Sequence, residues 1–436
     1  MQRSLMKDLI VWKNRPDRKP LILWGARQVG KTWLMEEFAR NEFENYVYIS
    51  FFKNAKAAKI FDEDYNPSRI IDTLSVMNNT EIRAGKTLII FDEIQDAPKV
   101  LESLKYFCEN APEYHIVAAG SLLGVALHTG VSFPVGKVNE LRLYPMSFME
   151  FLQALGEQRL AEQLSDYRNP IVSDLRDSYV PLLKAYYFVG GMPEAVKLFA
   201  ETKDYDAVRA VQLSILNQYD GDFGKHIQPN VLPRIRMVWQ ALPMQLAKEN
   251  KKFFFGQIRE GARMKDFEVA IQWLADAGLI YKVHKVSKPA MPLKAYIDFA
   301  SFKIFMLDVG LLAAMSEIDK QSIVDGNAIF TEFKGALTEQ FVLQELKACT
   351  SYTPFWYSGE KSTYETDFLI QNGKDVIPIE VKSEVNLKSK SLRVYYDKFQ
   401  PPYAIRISMS GYERQDWLEN IPLWAVGATD KTRDYI

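Results

Sequence analysis

Cysteine and histidine are scarce, with two and four copies in 436 residues. Cys108 and Cys349 stand far apart and belong to no C-x-x-C pair, which excludes a disulfide framework and a zinc site of the usual ligand spacing. They read as ordinary thiols, and a reducing cytoplasm is the expected compartment. Long apolar runs are missing too. No stretch approaches the roughly 18 consecutive apolar residues of a membrane-spanning helix, so no membrane partner is expected. Residues 1–14 interleave Arg3, Lys7, Asp8 and Lys13 with Leu5, Leu9, Ile10 and Trp12, an amphipathic helix pattern and not a signal peptide. Excess charge of either sign is absent: Lys and Arg number 54 against 55 Asp and Glu, a net charge of −1. Any contact with nucleic acid must therefore come from a local patch. Internal repeats and low-complexity tracts are also lacking. What remains is a chain 47% hydrophobic and long enough for about three domains, each with its own core.

The densest signal lies in residues 21–32, Leu-Ile-Leu-Trp-Gly-Ala-Arg-Gln-Val-Gly-Lys-Thr, an apolar strand that runs into G-x-x-x-x-G-K-T. Glycine at 25 and 30 lets the backbone of Gly25, Ala26, Arg27, Gln28, Val29 and Gly30 turn its N–H groups around a phosphate with no Cβ in the way. Lys31 supplies a point charge for the β- and γ-phosphates and Thr32 a hydroxyl for Mg²⁺. A helix starting near Lys31 aims its positive end at the same anion. ATP and Mg²⁺ are the expected cofactors.

Tyr46–Ser50 is a short β-rich run. Thr87-Leu-Ile-Ile-Phe-Asp92-Glu93 then describes a buried parallel strand with two acids at its C-terminal end, where ligands of open α/β sheets sit. In a nucleotide site Asp92 would hold Mg²⁺ through water and Glu93 would polarise the attacking water. Ile116–Ser121 is a third buried strand. Ser121 is expected either near the γ-phosphate and its water or as an N-cap before Leu122 and Leu123. Arg142 and Lys137 are cations that would serve either as a finger toward a neighbouring nucleotide or as part of a solvated strand face. Ser147-x-x-Glu150 forms a capping box for the next helix.

Residues 1 to about 155, with Gly25–Thr32, Asp92-Glu-Ile-Gln95, Gly120-Ser121 and Leu143-Tyr-Pro-Met-Ser-Phe148, resemble the prokaryotic AAA-type ATPases whose C-terminal half carries a domain of unknown function. Gly190-Gly-Met-Pro-Glu194 and Leu307-Asp-Val-Gly-Leu311 match that family as well, so the resemblance covers most of the chain. It implies an AAA-type core with a parallel five-stranded sheet and Mg-dependent ATP hydrolysis. One position departs from the pattern: Val135-Gly136-Lys137 stands where the family usually has Gly-Arg, and lysine lacks the bidentate phosphate contact of arginine.

The fold class expected is α/β: an AAA-type P-loop ATPase domain (1–155), a helical connector (156–229), a winged-helix domain (230–315) and a restriction-endonuclease-like domain (325–436). In the connector Asp220, Asp222 and His226 lack metal-site spacing. For the winged helix, helices are expected from about Arg234 to Lys248 and Lys265 to Ala277, then strands at Ile280–Val286 and near Lys303 to Leu307. The second helix exposes Asp266, Glu268, Gln272 and Asp276, an acidic face ill suited to phosphates.

In the last domain Glu339 lies on an amphipathic helix with Phe333, Leu337 and Phe341. Asp367 sits on Thr366–Ile370, and Glu380 and Lys382 on Ile377–Lys382, with Asn372-Gly373 as the hairpin turn between. Ile377, Ile379 and Val381 share one face, which sends Glu380 and Lys382 to the other. This pattern resembles the restriction-endonuclease-like nuclease fold. In that reading Asp367, Glu380 and Glu339 would bind a divalent metal and Lys382 would orient water. The alternative is a cross-strand ion pair on a solvated face. Lys388, Lys390 and Arg393 add a local basic run. The expected partners are ATP and, through the C-terminal half, DNA or another protein; a homo-oligomer is compatible with the sequence.

Overall fold

A computed structural model describes residues 1–436 apart from 127–131, 226, 248–251, 325–330, 360–363, 384–388 and 431–436. The chain separates into two compact units. One comprises residues 2–144 with 276–278, the other 145–275 and 279–436 together with Met1. Among the described residues no helix is long and apolar enough to cross a membrane.

The first unit is built on five parallel strands: β1 (Leu21–Trp24), β2 (Asn45–Ser50), β3 (Thr87–Asp92), β4 (His115–Ala119) and β5 (Asn139–Arg142), in the order β2-β3-β4-β1-β5. Every residue of β3 and β4 is buried, as expected of strands covered on both faces. The register Leu21↔Val117 and Ile90↔Val117 aligns β1, β3 and β4. Their C-terminal ends therefore bring Gly25, Asp92 and Ser121 to one edge of the sheet, the edge where open α/β sheets bind ligands. The loop helix Lys31–Glu42 buries Leu34, Met35, Phe38 and Ala39. The N-terminal helix Leu5–Asn14 buries Leu5, Leu9 and Trp12, and the Trp12 ring lies 6.3 Å from that of Phe38. Removing the Phe38 ring would cost about 3–5 kcal/mol and loosen both helices.

The second unit begins with helices. Ser147 caps Phe148–Ala154 with Glu150 at N3, and both bonds of the expected capping box are formed. The two stretches Gly190–Glu194 and Leu307–Leu311 meet. Asp308 accepts from Gly191 N at 2.6 Å and caps the helix Val309–Met315 by accepting from Leu311 N at 2.9 Å. Gly190, at φ +74°, packs so closely that a Cβ there would lie 2.2 Å from Asp308 Oδ1. Burial raises the Asp308 carboxyl to about 6, against these hydrogen bonds.

Where one helix is expected from Arg234 to Lys248, two short ones form, Leu232–Gln240 and Leu242–Leu246, with Pro243 in the first turn of the second. Proline donates no helical hydrogen bond and is accommodated at a helix start. The second expected helix runs Met264–Asp276 and buries Phe267, Ile271 and Leu274. Strands β6 (Ile280–Val286) and β7 (Ile297–Met306) pair antiparallel. Strand β6 also meets β8 (Phe355–Ser358) at Lys285↔Trp356, so this hairpin extends the C-terminal sheet.

That sheet continues through β9 (Glu365–Asn372), β10 (Asp375–Val381), β11 (Ala404–Ser408), β12 (Glu413–Arg414) and β13 (Leu418–Pro422), giving the order β12-β13-β11-β10-β9-β8-β6-β7. Asn372 pairs with Asp375, so the β9–β10 turn is Gly373-Lys374, one residue later than expected, with Gly373 at φ +58°. The helix Thr331–Cys349 departs from the expected amphipathic pattern. From Ala336 to Leu346 it is buried on every side, Thr338, Gln340, Gln344 and Glu345 included. Its polar groups instead hold backbone: Gln340 bonds both N (2.9 Å) and O (2.6 Å) of Met306, and Gln344 accepts from Val309 N at 2.9 Å. Buried amides are tolerable because they are paired.

Candidate functional sites

At the edge of the first unit the loop geometry follows from its glycines. Gly25 has φ +155° and a Cβ there would lie 2.5 Å from Leu143 O, so alanine would drive into backbone. Gly30 adopts φ +95° as the residue before the helix Lys31–Glu42. Gln28 also takes a left-handed conformation, φ +67°. Lys31 is only 7% exposed and lies back on the loop, donating to Gly25 O and Ala26 O, each at 2.8 Å. Burial lowers its ammonium to about 8, although Glu93 and Asp92 pull the other way.

Asp92 is buried, and two hydroxyls converge on its Oδ2: Thr32 Oγ1 donates at 2.7 Å and Tyr48 OH at 2.9 Å. The Tyr48 phenol is raised by burial and then by the Asp92 charge. A hydroxyl and a carboxylate held this closely, beside the loop Gly25–Gly30, fit the donor set of an octahedral Mg²⁺ that keeps most of its waters. Glu93 sits at φ +54°, uncommon for a residue with a Cβ. Its Oε2 accepts from Gln95 Nε2 at 2.7 Å and from Ser121 Oγ at 3.0 Å. Ser121 thus touches the acid rather than serving as a simple helix cap.

Tyr48 and Arg3 were outside the motif reading, and Gln95, part of the quoted motif, had no role assigned. Arg3, buried, donates to Val29 O at 2.8 Å and Tyr144 O at 2.6 Å, bracing the phosphate loop from beneath. Nothing in a loop motif signals an arginine this far upstream. Lys137 is ion-paired with Glu109 at 2.8 Å, and the Arg142 guanidinium lies 6.0 Å from the Trp24 ring.

In the second unit the β9–β10 ladder, continued one rung beyond Phe368↔Ile379, faces Asp367 with Glu380. Asp367 Oδ2 accepts from Val381 N at 2.7 Å. Glu380 is buried rather than on an open face, and its Oε1 meets Lys382 Nζ at 2.9 Å. Across the next strands Glu380 registers with Arg406 and Arg406 with Asn420, whose Oδ1 accepts from the buried Arg406 Nε at 2.8 Å. Glu380 and Lys382 form an ion pair along one strand, not the expected pair across two strands on a solvated face, with Glu380 buried and Lys382 about a third exposed. The burial of Glu380 was not legible because it depends on neighbouring elements.

The residue that sequence reasoning missed is Lys303 on β7. Its side chain is 1% exposed, with Nζ 2.7 Å from Glu365 Oε1 and 5.0 Å from the Trp356 ring centroid. Burial works to lower its ammonium, but the charges of Glu365, Glu339 and Asp367 outweigh it and hold the group above its ordinary value. The signal was a lysine inside the apolar run Phe302-Lys-Ile-Phe-Met306, which a buried strand carries only against partners. Among the described residues no three of His, Cys, Asp and Glu are placed to hold a metal ion. Elsewhere Asp222 pairs with Lys225 at 2.6 Å and Asp220 with Arg236 at 3.0 Å, while His226 and Lys388 lie outside the described residues.

Residues 17–152 match the family described as an AAA domain, and residues 180–322 and 334–426 match two domains of unknown function, DUF8612 and DUF4143. An AAA-type P-loop domain thus occupies the N-terminal part, followed by a helical region and a mixed-sheet C-terminal part. Among solved structures, the Walker-type ATPase PABY2304 of Pyrococcus abyssi is 14% identical with TM-score 0.47, covering 72% of this chain and 95% of that one. ORC1 of Aeropyrum pernix, in complex with DNA, is 15% identical with TM-score 0.28, covering 74% and 92%. A RuvB variant of Thermotoga maritima is 15% identical with TM-score 0.31, covering 68% and 93%. At these TM-scores the likenesses assign no role to any residue. No curated protein matches the chain.

Proposed function

We propose that the protein binds Mg-ATP on the loop Gly25–Thr32 and hydrolyses it. The observation that carries this reading is the convergence, on one sheet edge, of the Lys31 ammonium, the Thr32–Asp92 pair and the Glu93 carboxylate. Backbone amides of Ala26 to Gly30 cradle the phosphates, and Lys31 leaves the loop carbonyls for the β- and γ-phosphate oxygens. Thr32 and Asp92 are the residues that would hold Mg²⁺, which neutralises phosphate charge when bound. Glu93, whose carboxylate accepts from Gln95 and Ser121, polarises the water.

The test uses two variants. Lys31→Ala should lose ATP affinity by about one to two orders of magnitude, the worth of a charge-assisted contact. Glu93→Gln should keep ATP binding and lose turnover by about 10²–10⁴. Equal calorimetric affinity in Lys31→Ala, or normal phosphate release by Glu93→Gln, would defeat the assignment.

For the C-terminal half, two readings stand: a nuclease-like module acting on DNA under nucleotide control, and a nucleotide-dependent interaction switch whose C-terminal domain is not catalytic. The burial of Glu380 against Lys382, together with Lys303 among Glu339, Glu365 and Asp367, favours the second. Incubation with duplex and single-stranded DNA in Mg²⁺ or Mn²⁺ separates them; cleavage that Asp367→Asn abolishes would restore the first.

A further inference from the structure

In the second unit the carboxylates of Glu365, Glu339 and Asp367 bear on one ammonium, Lys303, and Glu380 stands opposite Asp367 on the β9–β10 ladder; Glu339 and Glu380 are buried. Such a group is stable only with positive charge supplied close by. In an enzyme that cleaves phosphodiesters the charge would be a divalent ion. Here it is supplied by protein. The Lys303 ammonium is within 2.7 Å of Glu365 Oε1, and the charges of Glu339 and Asp367 bear on it. Lys382 binds Glu380 at 2.9 Å. The charges of Glu380 and Glu413 bear on Arg406, on the next strand. Asp367 Oδ2 is engaged by Val381 N. Glu365 Oε1, Glu380 Oε1 and Asp367 Oδ2 are therefore committed to ammonium groups and backbone, while the buried oxygens Glu339 Oε2 and Glu380 Oε2 accept no hydrogen bond and are balanced by the nearby cations through charge.

We propose that Lys303 is a built-in cation that takes the place of a divalent metal, so that the cluster excludes Mg²⁺ and Mn²⁺ as long as Lys303 is present. Lysine suits the role because a compact, triply donating ammonium can serve several carboxylates at once, and Trp356 covers it with a π face. The inference deepens the non-catalytic reading of the C-terminal half and is independent of ATP hydrolysis. A domain can fail to cleave DNA for other reasons, so the measurement is metal binding and not cleavage.

The experiment is a Mn²⁺ titration of the full chain followed by electron paramagnetic resonance, without nucleotide and in an Asp92→Asn background that removes the phosphate-loop carboxylate. With Lys303 present, adding Asp367→Asn should change nothing, because no Mn²⁺ is bound there. Lys303→Gln should create one saturable Mn²⁺ site, and Asp367→Asn should remove it again. An Asp367-dependent Mn²⁺ site in the Lys303 protein overturns the proposal, as does a folded Lys303→Gln protein that gains none. If Lys303→Gln does not fold, the pair Lys303→Gln with Glu365→Gln, which removes opposite charges together, is titrated with the same two outcomes. The Lys303 protein decides by itself should neither variant fold.

Discussion

Among the described residues two lysines are buried, one in each unit, and their surroundings push their charge in opposite directions. Lys31, 7% exposed, donates to backbone carbonyls, and burial lowers its ammonium to about 8. Lys303, 1% exposed, meets Glu365, and the surrounding carboxylates hold its ammonium above the ordinary value. The contrast separates an amine kept short of charge from one already satisfied. An incoming polyphosphate supplies what Lys31 lacks, so binding energy is available there. No such deficit exists at Lys303.

The largest effect that would sharpen this contrast is on stability. Lys303→Met leaves Glu365, Glu339 and Asp367 without their cation, and breaking a buried pair from one side costs about 3–5 kcal/mol. Lys31→Met removes a charge that the ligand-free fold disfavours, so its stability should stay within about 1 kcal/mol of wild type or rise. Urea denaturation of the ligand-free variants checks both. Equal losses would mean that the two sites do not differ as described.

The same contrast explains how much was legible. The phosphate loop could be read because strand, glycines, lysine and threonine occupy residues 21–32 without a gap. Backbone geometry at each position is dictated by neighbours in sequence. One buried parallel strand followed from the apolar run ending in Asp92 and Glu93, the five-stranded sheet from the family resemblance, and the capping box at Ser147 and Glu150 is likewise local. Lys303 was invisible as a partner because it reaches Glu365 from β7, a strand that joins the sheet through β6 and β8. The helix Thr331–Cys349 was misread for a related reason. An amphipathic helix implies a solvated face, but its glutamines pair with the backbone of Met306 and Val309, and periodicity does not report tertiary partners.

A third buried ionisable group tests the other half of the comparison, an acid that has no lysine. Glu345 accepts from Phe148 N at 2.8 Å, with Cys349 Sγ 3.7 Å from its other oxygen. Burial raises its carboxyl from 4.5 to about 8, with the nearby Glu150 charge adding to the rise. The Tyr186 and Tyr187 phenols also face it and are raised by burial. The folded chain keeps the Glu345 proton across a range in which the unfolded chain has released it. Stability should therefore fall as pH rises from about 4.5 to about 8 and level off above. At roughly 1.4 kcal/mol for each tenfold change in proton affinity, the total is on the order of a few kcal/mol. Glu345→Gln keeps an acceptor for Phe148 N and should flatten that slope. Denaturation midpoints of both proteins across this range are the check, and an unchanged slope in the variant would assign the dependence to other groups.

The smallest effect is the most specific to Lys31. With its ammonium at about 8, close to half of these amines are neutral at that pH in the ligand-free protein. Phosphate oxygens favour the charged form, so Mg-ATP binding should draw about half a proton from solvent at pH 8 and little at pH 6.5. Affinity should then weaken as pH rises above 8, because the proton must be taken from a scarcer supply. Calorimetry in buffers of different ionisation enthalpy measures the uptake directly. A buffer-independent heat at pH 8 would mean that Lys31 is already fully charged before nucleotide arrives. The deficit that distinguishes it from Lys303 would then be absent, and the binding energy would have to come from the loop amides and Thr32 instead.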